Sequence, residues 1–399
     1  MPFDKLKKIK FSHKILILAT DYFPTYSESA QAVREITDQI DTIKFDLVTI
    51  KKNKEQSAFD RIGKVNVHRF GIGVDIIDKY LLVFFGHFFV KRLHNDRQYS
   101  AIWCIGTDYA SSTAANFKIK NPSIPLLLTL QDEDDPKYLR KKIGLIDPWF
   151  RQLFACPDHI HCVNARLVDW AKRMGAHCEI SLVPNGINFE QFYKGKLREY
   201  YIDELKGRLN ILPTEKVIIT SRFPNIEWSK NIIKAIALIK QMDGISIKLL
   251  IHESIGRKWF LKREAARNDI LDHVIFLNNV SQEQMPNFLW ISNLYMDCSK
   301  KEVSNNSLLE AMAARVPILN IKGAIMPDFY QDRVTGFAYN PNQALSVAEK
   351  IQYVFSENVA RKQVIDNGEK VAREQFSYEK IKIEIEKIFD RLFGLNKHP

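Results

Sequence analysis

Glu302 and Glu310 lie on either side of a loop-to-helix transition, in the stretch Asp297-Cys298-Ser299-Lys300-Lys301-Glu302-Val303-Ser304-Asn305-Asn306-Ser307-Leu308-Leu309-Glu310. An apolar run at 294–296 leads into it as a strand, and Asn306 or Ser307 opens a helix rich in Leu, Ala and Met. A carboxylate accepts two hydroxyl protons at once. The unpaired N–H groups of a helix's first turn are a ready seat for a phosphate. Pro317 and the apolar run behind it begin the next strand. Both acids therefore fall beyond the carboxyl end of a strand in an open α/β sheet, which is where such sheets bind ligands. Taken singly, either acid reads equally well as a solvated surface group or as a partner for the helix dipole.

The elements that must position these acids follow from apolar periodicity. Runs at 14–19, 45–50, 65–70, 100–105, 125–130, 159–163 and 180–183 read as strands. Ala32, Val33, Ile36 and Ile40 recur at helical spacing, and 111–117 and 167–174 read as helices, the latter stopped by Gly175. Strand alternating with helix predicts a parallel sheet. Pro184-Asn185-Gly186 is a turn signal, and 191–213 is a charged, tyrosine-rich linker with a short surface helix. A second series follows, with strands at 217–220, 247–251, 274–277, 294–296 and 336–339. Ile232, Ile233, Ile236 and Ile239 mark one helix, and Ser281 is expected to cap another that runs to Trp290. A further helix is expected after 323–328, and 345–373 reads as helical. The last helix has Ser377 as cap and Phe376 as a staple onto Ile381, with Ile385, Ile388 and Leu392 continuing its stripe up to Gly394.

Glu302, seven intervening residues, Glu310, then Ala311-Met312-Ala313 and Pro317 resemble the signature of retaining glycosyltransferases of the GT-B fold, in particular glycosyltransferase family 4. Val183-Pro184-Asn185-Gly186-Ile187-Asn188, with Phe189 and Phe192, is similar to that fold's junction between domains. The opening of the last helix, Phe376-Ser377-Tyr378-Glu379-Lys380, resembles the family's C-terminal helix. The resemblance implies an α/β, GT-B architecture: two Rossmann-like domains facing each other across a cleft, with the C-terminal helix crossing back to the first. Its parts are an acceptor domain at 1–190, a linker at 191–213, a nucleotide-sugar donor domain at 214–375 and the returning helix at 376–399. It implies retaining transfer from a UDP- or GDP-sugar to a hydroxyl of a saccharide or lipid-linked saccharide, in polysaccharide or glycoconjugate synthesis. No metal and no cofactor is expected beyond the donor, which is a substrate.

The same resemblance assigns roles. Arg222 and Lys230 hold the donor diphosphate, a rigid fork and a mobile point charge respectively. Glu302 contacts the donor sugar and Glu310 the ribose hydroxyls, while Asn306, Ser307 and Leu308 form the helix start between them. Asn279 and Val280 stand where relatives place backbone around the nucleobase. Gln131, Asp132, Asp108, Ser27 and Ser29 lie on the acceptor side. The chain departs from the pattern in places. Ser27, Glu28 and Ser29 replace a glycine pair, or serve as helix caps; Val303 and Arg315 stand where Gly is common. Gln131 stands where many relatives carry His; Gln donates a hydrogen bond but cannot exchange a proton near neutral pH.

Composition sets the remaining bounds. A chain of 399 residues, 46% apolar, suits two ordinary domains with real cores. The net charge of +11 suits an anionic partner. No recognised nucleic-acid motif accompanies that charge, so nucleic acid is not expected. The odd number of cysteines, five, with no Cys-x-x-Cys, points to a reducing cytoplasm. His159, His161 and Cys162 match no standard metal spacing and read as core or surface residues. Asp132 and Asp134 mimic an Asp-x-Asp metal signature but read as a solvated or acceptor-facing acidic loop. The basic N-terminus runs into a first strand and not into a signal peptide, and no stretch is long enough to span a bilayer. Residues 79–94, rich in Phe with Lys91 and Arg92, read either as a core helix or as a contact with the inner membrane face. Two rival functions share the fold: a sugar epimerase or phosphorylase, and a catalytically silent scaffold or sugar-binding protein.

Overall fold

The computed structural model describes residues 13–25, 27–131, 152–192, 197–220, 225–252, 258–277, 280, 283–298, 305–323 and 329–394. The chain divides into two units, one made of Met1–Gly186 with Tyr378–Pro399 and the other of Ile187–Ser377.

The first unit is built on an eight-stranded sheet of order β3-β4-β2-β1-β5-β6-β7-β8. Its strands are β1 (His13–Leu18), β2 (Ile43–Ile50), β3 (Phe59–Ile62), β4 (Val65–Phe70), β5 (Ala101–Ile105), β6 (Leu126–Leu130), β7 (His159–Cys162) and β8 (Glu179–Leu182). All pairings are parallel except β3 with β4. The central strands are buried on both faces, and so read as unbroken apolar runs. The helices here are α1 (Glu28–Gln39), α2 (Asp75–Arg97), α3 (Tyr109–Lys120) and α4 (Ala165–Arg173). Their starts are set by side chains. Ser27 accepts from the N–H of Ala30 at 3.0 Å, and Asn164 from Leu167 at 3.0 Å.

The second unit holds a six-stranded parallel sheet of order β11-β10-β9-β12-β13-β14. Its strands are β9 (Lys216–Thr220), β10 (Ile247–His252), β11 (Val274–Leu277), β12 (Leu294–Met296), β13 (Ile318–Ile321) and β14 (Phe337–Tyr339). Around it lie α5 (Phe189–Phe192), α6 (Leu197–Arg208), α7 (Ile226–Asp243), α8 (Lys258–Arg267), α9 (Met285–Ile291), α10 (Asn305–Ala313), α11 (Ala344–Ser356) and α12 (Asn358–Phe376). Ile232, Ile233, Ile236 and Ile239 are all buried, as their spacing in α7 requires. The stretch read as a linker, 191–213, contains α6, whose Ile202 is buried in this unit's core. The final helix, α13 (Tyr378–Leu392), belongs to the first unit, where Ile381, Ile385, Ile388 and Phe389 pack with Ile17, Phe45 and Trp103.

Several expectations are corrected. Phe376 does not staple onto Ile381: it is buried in the second unit, edge-on to Phe329 at 4.8 Å, while Ile381 is buried in the first. The chain passes from one core to the other between them. Ser281, expected as a cap, lies outside the described residues; α9 starts at Met285 after Gln284, with Pro286 in its first turn. No helix occurs in 329–343, where the chain doubles back and Tyr330 donates to the Phe337 carbonyl at 2.6 Å. The helical span 345–373 is two helices broken at Glu357, and Arg361 caps the break by donating to the carbonyls of Val354 and Phe355.

His161 and His159 are structural. The Val183 carbonyl can only accept, so His161 Nε2 carries the proton and donates to it at 2.7 Å. His161 Nδ1 then accepts from the Thr129 hydroxyl at 3.1 Å, and Thr129 in turn accepts from the Trp103 indole at 2.8 Å. Burial pushes this imidazole down to about 4. His159 Nε2 pairs with Ser181 at 2.9 Å. Among the described residues no group of three His, Cys, Asp or Glu is placed to hold a metal ion.

Candidate active site

In the second sheet β9 and β12 are parallel neighbours, with Leu294, Tyr295 and Met296 opposite Ile218, Ile219 and Thr220. From β9 the sheet grows outward through β10 and β11; from β12 it grows the other way through β13 and β14. This reversal is the switch point at which open α/β sheets form their ligand crevice. Lys230 lies in α7, which follows β9, and Asn306, Ser307, Leu308 and Glu310 lie in α10, which follows β12. Two segments far apart in sequence are thus delivered to adjacent strand ends.

Lys230 sits one turn into α7. Its Nζ is 2.6 Å from Glu227 Oε1 and 5.4 Å above the Phe260 ring. The helix is anchored by Asn225, whose side chain accepts from the N–H groups of Glu227 and Trp228 at 2.9 and 3.2 Å. Trp228 donates to Asn342 at 3.1 Å, and Asn231 to the Pro341 carbonyl at 2.9 Å, so α7 cannot swivel freely.

In α10 the Leu308 side chain is fully buried in the core, which leaves only its backbone for a ligand. Glu310 is buried, one turn further along. The Asn306 side-chain oxygen is enclosed without a hydrogen-bond partner among the described residues. Beneath them, burial and then the Asp297 carboxylate hold the Tyr295 phenol protonated. Tyr339 donates to the Asp297 carbonyl at 3.0 Å and ties β14 to the end of β12. At the far end of α10, Arg315 takes a left-handed φ of +60°, the conformation glycine adopts most easily. Its guanidinium forks onto Asp366 and Glu369 of α12. Val280 packs half-buried against the same core. Glu302, Arg222 and Asn279 lie outside the described residues.

The first sheet has its own reversal, between β1 and β5. Ser27 and Ser29 follow β1, and Asp108 follows β5. All three have local partners: Ser27 caps α1 and meets the Ser29 hydroxyl at 3.0 Å, and Asp108 caps α3 by accepting from Ala110 at 3.2 Å. Thr20 joins the two loops, accepting from the Ala110 N–H at 3.0 Å. Gln131, just past β6, is buried and accepts from the Asn185 amide at 3.3 Å. Asp132 lies outside the described residues. In the turn that carries Asn185, a Cβ on Gly186 would come within 2.6 Å of the Tyr378 ring.

A cluster at this edge escapes a reading of the sequence. Lys52, after β2, pairs with Asp21, after β1, and at 2.8 Å with Asp75, after β4; Asp75 also holds Lys79 at 2.7 Å. Burial opposes the Lys52 charge, but the two carboxylates outweigh it and raise the ammonium above its usual range. The only signal in the sequence is that each member follows a strand by a few residues.

Residues 202–371 match the family of glycosyl transferases group 1. The chain is 21% identical over 262 residues to the alpha-monoglucosyldiacylglycerol synthase of Streptococcus pneumoniae, a match that covers 63% of this chain and 58% of that one. The chain spans about half the length of the curated relatives it matches. Two solved structures show the fold over nearly the whole chain. Sucrose-phosphate synthase from Thermosynechococcus elongatus superimposes with a TM-score of 0.74 at 16% identity, covering 96% of this chain and all of that one. HepE of Anabaena in complex with UDP-glucose does so with a TM-score of 0.71 at 16% identity, covering 95% and 100%. The fold is GT-B, and the matched residues 202–371 lie within the second unit, around the β9–β12 switch point.

Proposed function

We propose that the chain is a retaining glycosyltransferase of family 4 that moves a sugar from a nucleotide-sugar to a hydroxyl of a saccharide or lipid-linked saccharide. The observation that carries this reading is the delivery of Lys230 and of the Asn306–Glu310 helix start to neighbouring strand ends of one sheet. A cation and the N–H groups of a helix's first turn suit a diphosphate, and a buried carboxylate suits paired hydroxyls. HepE, which shares the fold, is known in complex with UDP-glucose, and this supports a UDP-sugar as the donor. The Streptococcus relative's name, a diacylglycerol glycolipid synthase, supports a lipid-linked acceptor.

In this reading Lys230, with Arg222 in the role its resemblance gives it, faces the diphosphate as the sugar–oxygen bond breaks. The N–H groups at Ser307 and Leu308 join them. This is charge stabilisation where charge develops. These cations do the work that a metal ion would otherwise do, so no metal is required. Glu302 orients the sugar. The acceptor hydroxyl attacks from the face the diphosphate leaves, and its proton passes to the departing phosphate oxygen. Glu310 holds the ribose. The acceptor lies against the first unit, near Gln131, Asp108 and the Lys52 cluster.

Calorimetry with UDP, GDP, ADP, CMP and their common sugars tests this. One nucleotide-sugar should bind, and Glu310→Ala should weaken it roughly 10- to 100-fold, the loss of a charged hydrogen-bond acceptor. Equal binding by the variant would remove Glu310 from the donor site. Product analysis by NMR should then show the anomeric configuration of the donor kept; an inverted product would sink the mechanism.

A further inference from the structure

α2 is apolar on two opposite faces, and only one of them has a partner. Leu82, Val83, Gly86 and Val90 are buried, and Thr113 of α3 donates to the Leu82 carbonyl at 2.6 Å. Ile76, Ile77, Tyr80, Phe84, Phe85 and Phe88 point the other way and are 44% to 68% exposed. The turn before the helix adds Ile72 and Val74, also exposed.

That turn is locked from beneath. Asp78 is fully buried, and its carboxylate accepts from the N–H groups of Ile72, Gly73 and Val74 at 2.8, 2.7 and 3.1 Å. Gly71 has φ +116°, and a Cβ there would overlap the Asp78 carboxyl. The apolar side chains are therefore displayed by a fixed scaffold. A contiguous exposed apolar face of this extent marks an interaction site.

The rim of the face is basic. Beyond Phe88 the outward positions become Lys91 and Arg92, both exposed. Lys120 of α3, also exposed, lies 5.3 Å over the Phe88 ring, with its Nζ 2.6 Å from His87 Nε2. Apart from the buried Asp78, the acids of α2 are Asp75, held by Lys52 and Lys79, and Asp96 near the helix's far end.

We propose that this face docks on an anionic lipid bilayer, the Phe and Ile side chains entering the headgroup boundary and Lys91, Arg92 and Lys120 meeting lipid phosphates. Charge complementarity selects this occupant. Two copies of the chain placed face to face would bring like-charged rims together, whereas an anionic surface attracts the rim and takes up the aromatics. The helix lies on the surface and does not cross it: none of the described helices is long and apolar enough to span a membrane. The contact is centred on 72–88, not on the 79–94 that composition suggests. The first turn of α2 also carries Asp75 and Lys79 of the edge cluster, so a docked helix holds that cluster at headgroup depth.

Flotation of the full chain with vesicles tests the proposal without any sugar donor. Vesicles of phosphatidylcholine alone are compared with vesicles containing about a third phosphatidylglycerol. The wild type should float with the anionic vesicles and roughly a hundredfold more weakly with the neutral ones, since each of the three basic groups near an anionic surface strengthens binding roughly fivefold. Phe84→Ser/Phe85→Ser/Phe88→Ser should reduce flotation at least about tenfold. Lys91→Glu/Arg92→Glu, wholly on the surface, should abolish the anionic preference, with circular dichroism and melting unchanged. Failure of the wild type to float, or flotation unaltered by the triple substitution, overturns the proposal. A dimer in sedimentation velocity that the triple substitution dissociates, with no vesicle binding, also overturns it and gives the face to a second copy.

Discussion

The side-chain amide of Asn185 donates to the buried Gln131 oxygen at 3.3 Å, joining the turn after β8 to the end of β6. This bond gives Gln131 a structural task. Gln131→Ala and Asn185→Ala should each lower the unfolding free energy by about 1 kcal/mol. A double-mutant cycle in urea should return a coupling of similar size. A coupling near zero would mean the contact contributes nothing.

Lys230→Ala separates a catalytic from a structural lysine. Its partner Glu227 is exposed, so the ion pair is worth at most about 1 kcal/mol, and the urea midpoint should barely move. The transfer rate should fall by about 10²-fold or more. A variant with full kcat/KM would remove Lys230 from the mechanism.

Burial acts oppositely on an acid and a base of the first unit. It pushes Glu35 up to about 8, against the Gln31 amide that donates to it at 2.5 Å. The unfolded chain releases this proton near about pH 4.3 while the folded chain keeps it, so stability is lost as pH rises from there to about 8. Glu35→Gln should gain on the wild type through that window. His161, pushed down to about 4, works the other way. Below about pH 6.5 the unfolded chain takes a proton that the folded one refuses, and stability falls by about 1.4 kcal/mol per unit down to about 4. His161→Gln should flatten that fall. Urea titrations at a series of pH values read both slopes.

Arg315 offers a test of backbone strain. A non-glycine residue at its φ of +60° costs roughly 1–2 kcal/mol. Its pairs with Asp366 and Glu369 are only partly buried and repay about 0–1 kcal/mol each. Arg315→Gly should therefore leave stability within about 1 kcal/mol of the wild type. Arg315→Ala keeps the strain, loses the pairs, and should melt below the glycine variant. Equal melting of the two would show the strain to be negligible.

Ile385→Ala should cost about 2–5 kcal/mol, because the side chain is fully buried. The loss should appear in hydrogen exchange as faster opening of β1 and β2, with β9 and β12 unchanged, since Ile385 packs only in the first unit's core.

The two parallel sheets were legible because strands buried on both faces leave unbroken apolar runs, as at Ile218–Ile219 and Leu249–Ile251. The α7 isoleucines were legible because Ile232, Ile233, Ile236 and Ile239 recur at the three- to four-residue spacing of one helix face. β3 was not: Phe59-Asp60-Arg61-Ile62 is exposed and charged, and only antiparallel pairing with β4 makes it a strand. The α2 face was ambiguous because apolar residues on both sides give no periodicity from which to choose. The Asp21–Lys52–Asp75–Lys79 cluster was invisible because strand order, which a sequence does not print, brings the ends of β1, β2 and β4 side by side. Around Glu310 the strand, helix and following strand were legible, whereas Asn306's enclosed oxygen emerged only from packing.

The second unit begins and ends at one point, where the Ile187 N–H donates to the Phe376 carbonyl at 2.7 Å and Ile187 bridges Ser377. The first unit is left in two pieces, with α13 synthesised only after the whole of the second unit. On the ribosome its sheet must therefore wait, one side of its core open, until Ile381 to Phe389 emerge. The second unit has every strand and helix it needs once Ser377 is made. Of the two units, the one whose sheet is translated first finishes folding second, and the apolar groove awaiting α13 is where a nascent-chain chaperone has most to protect.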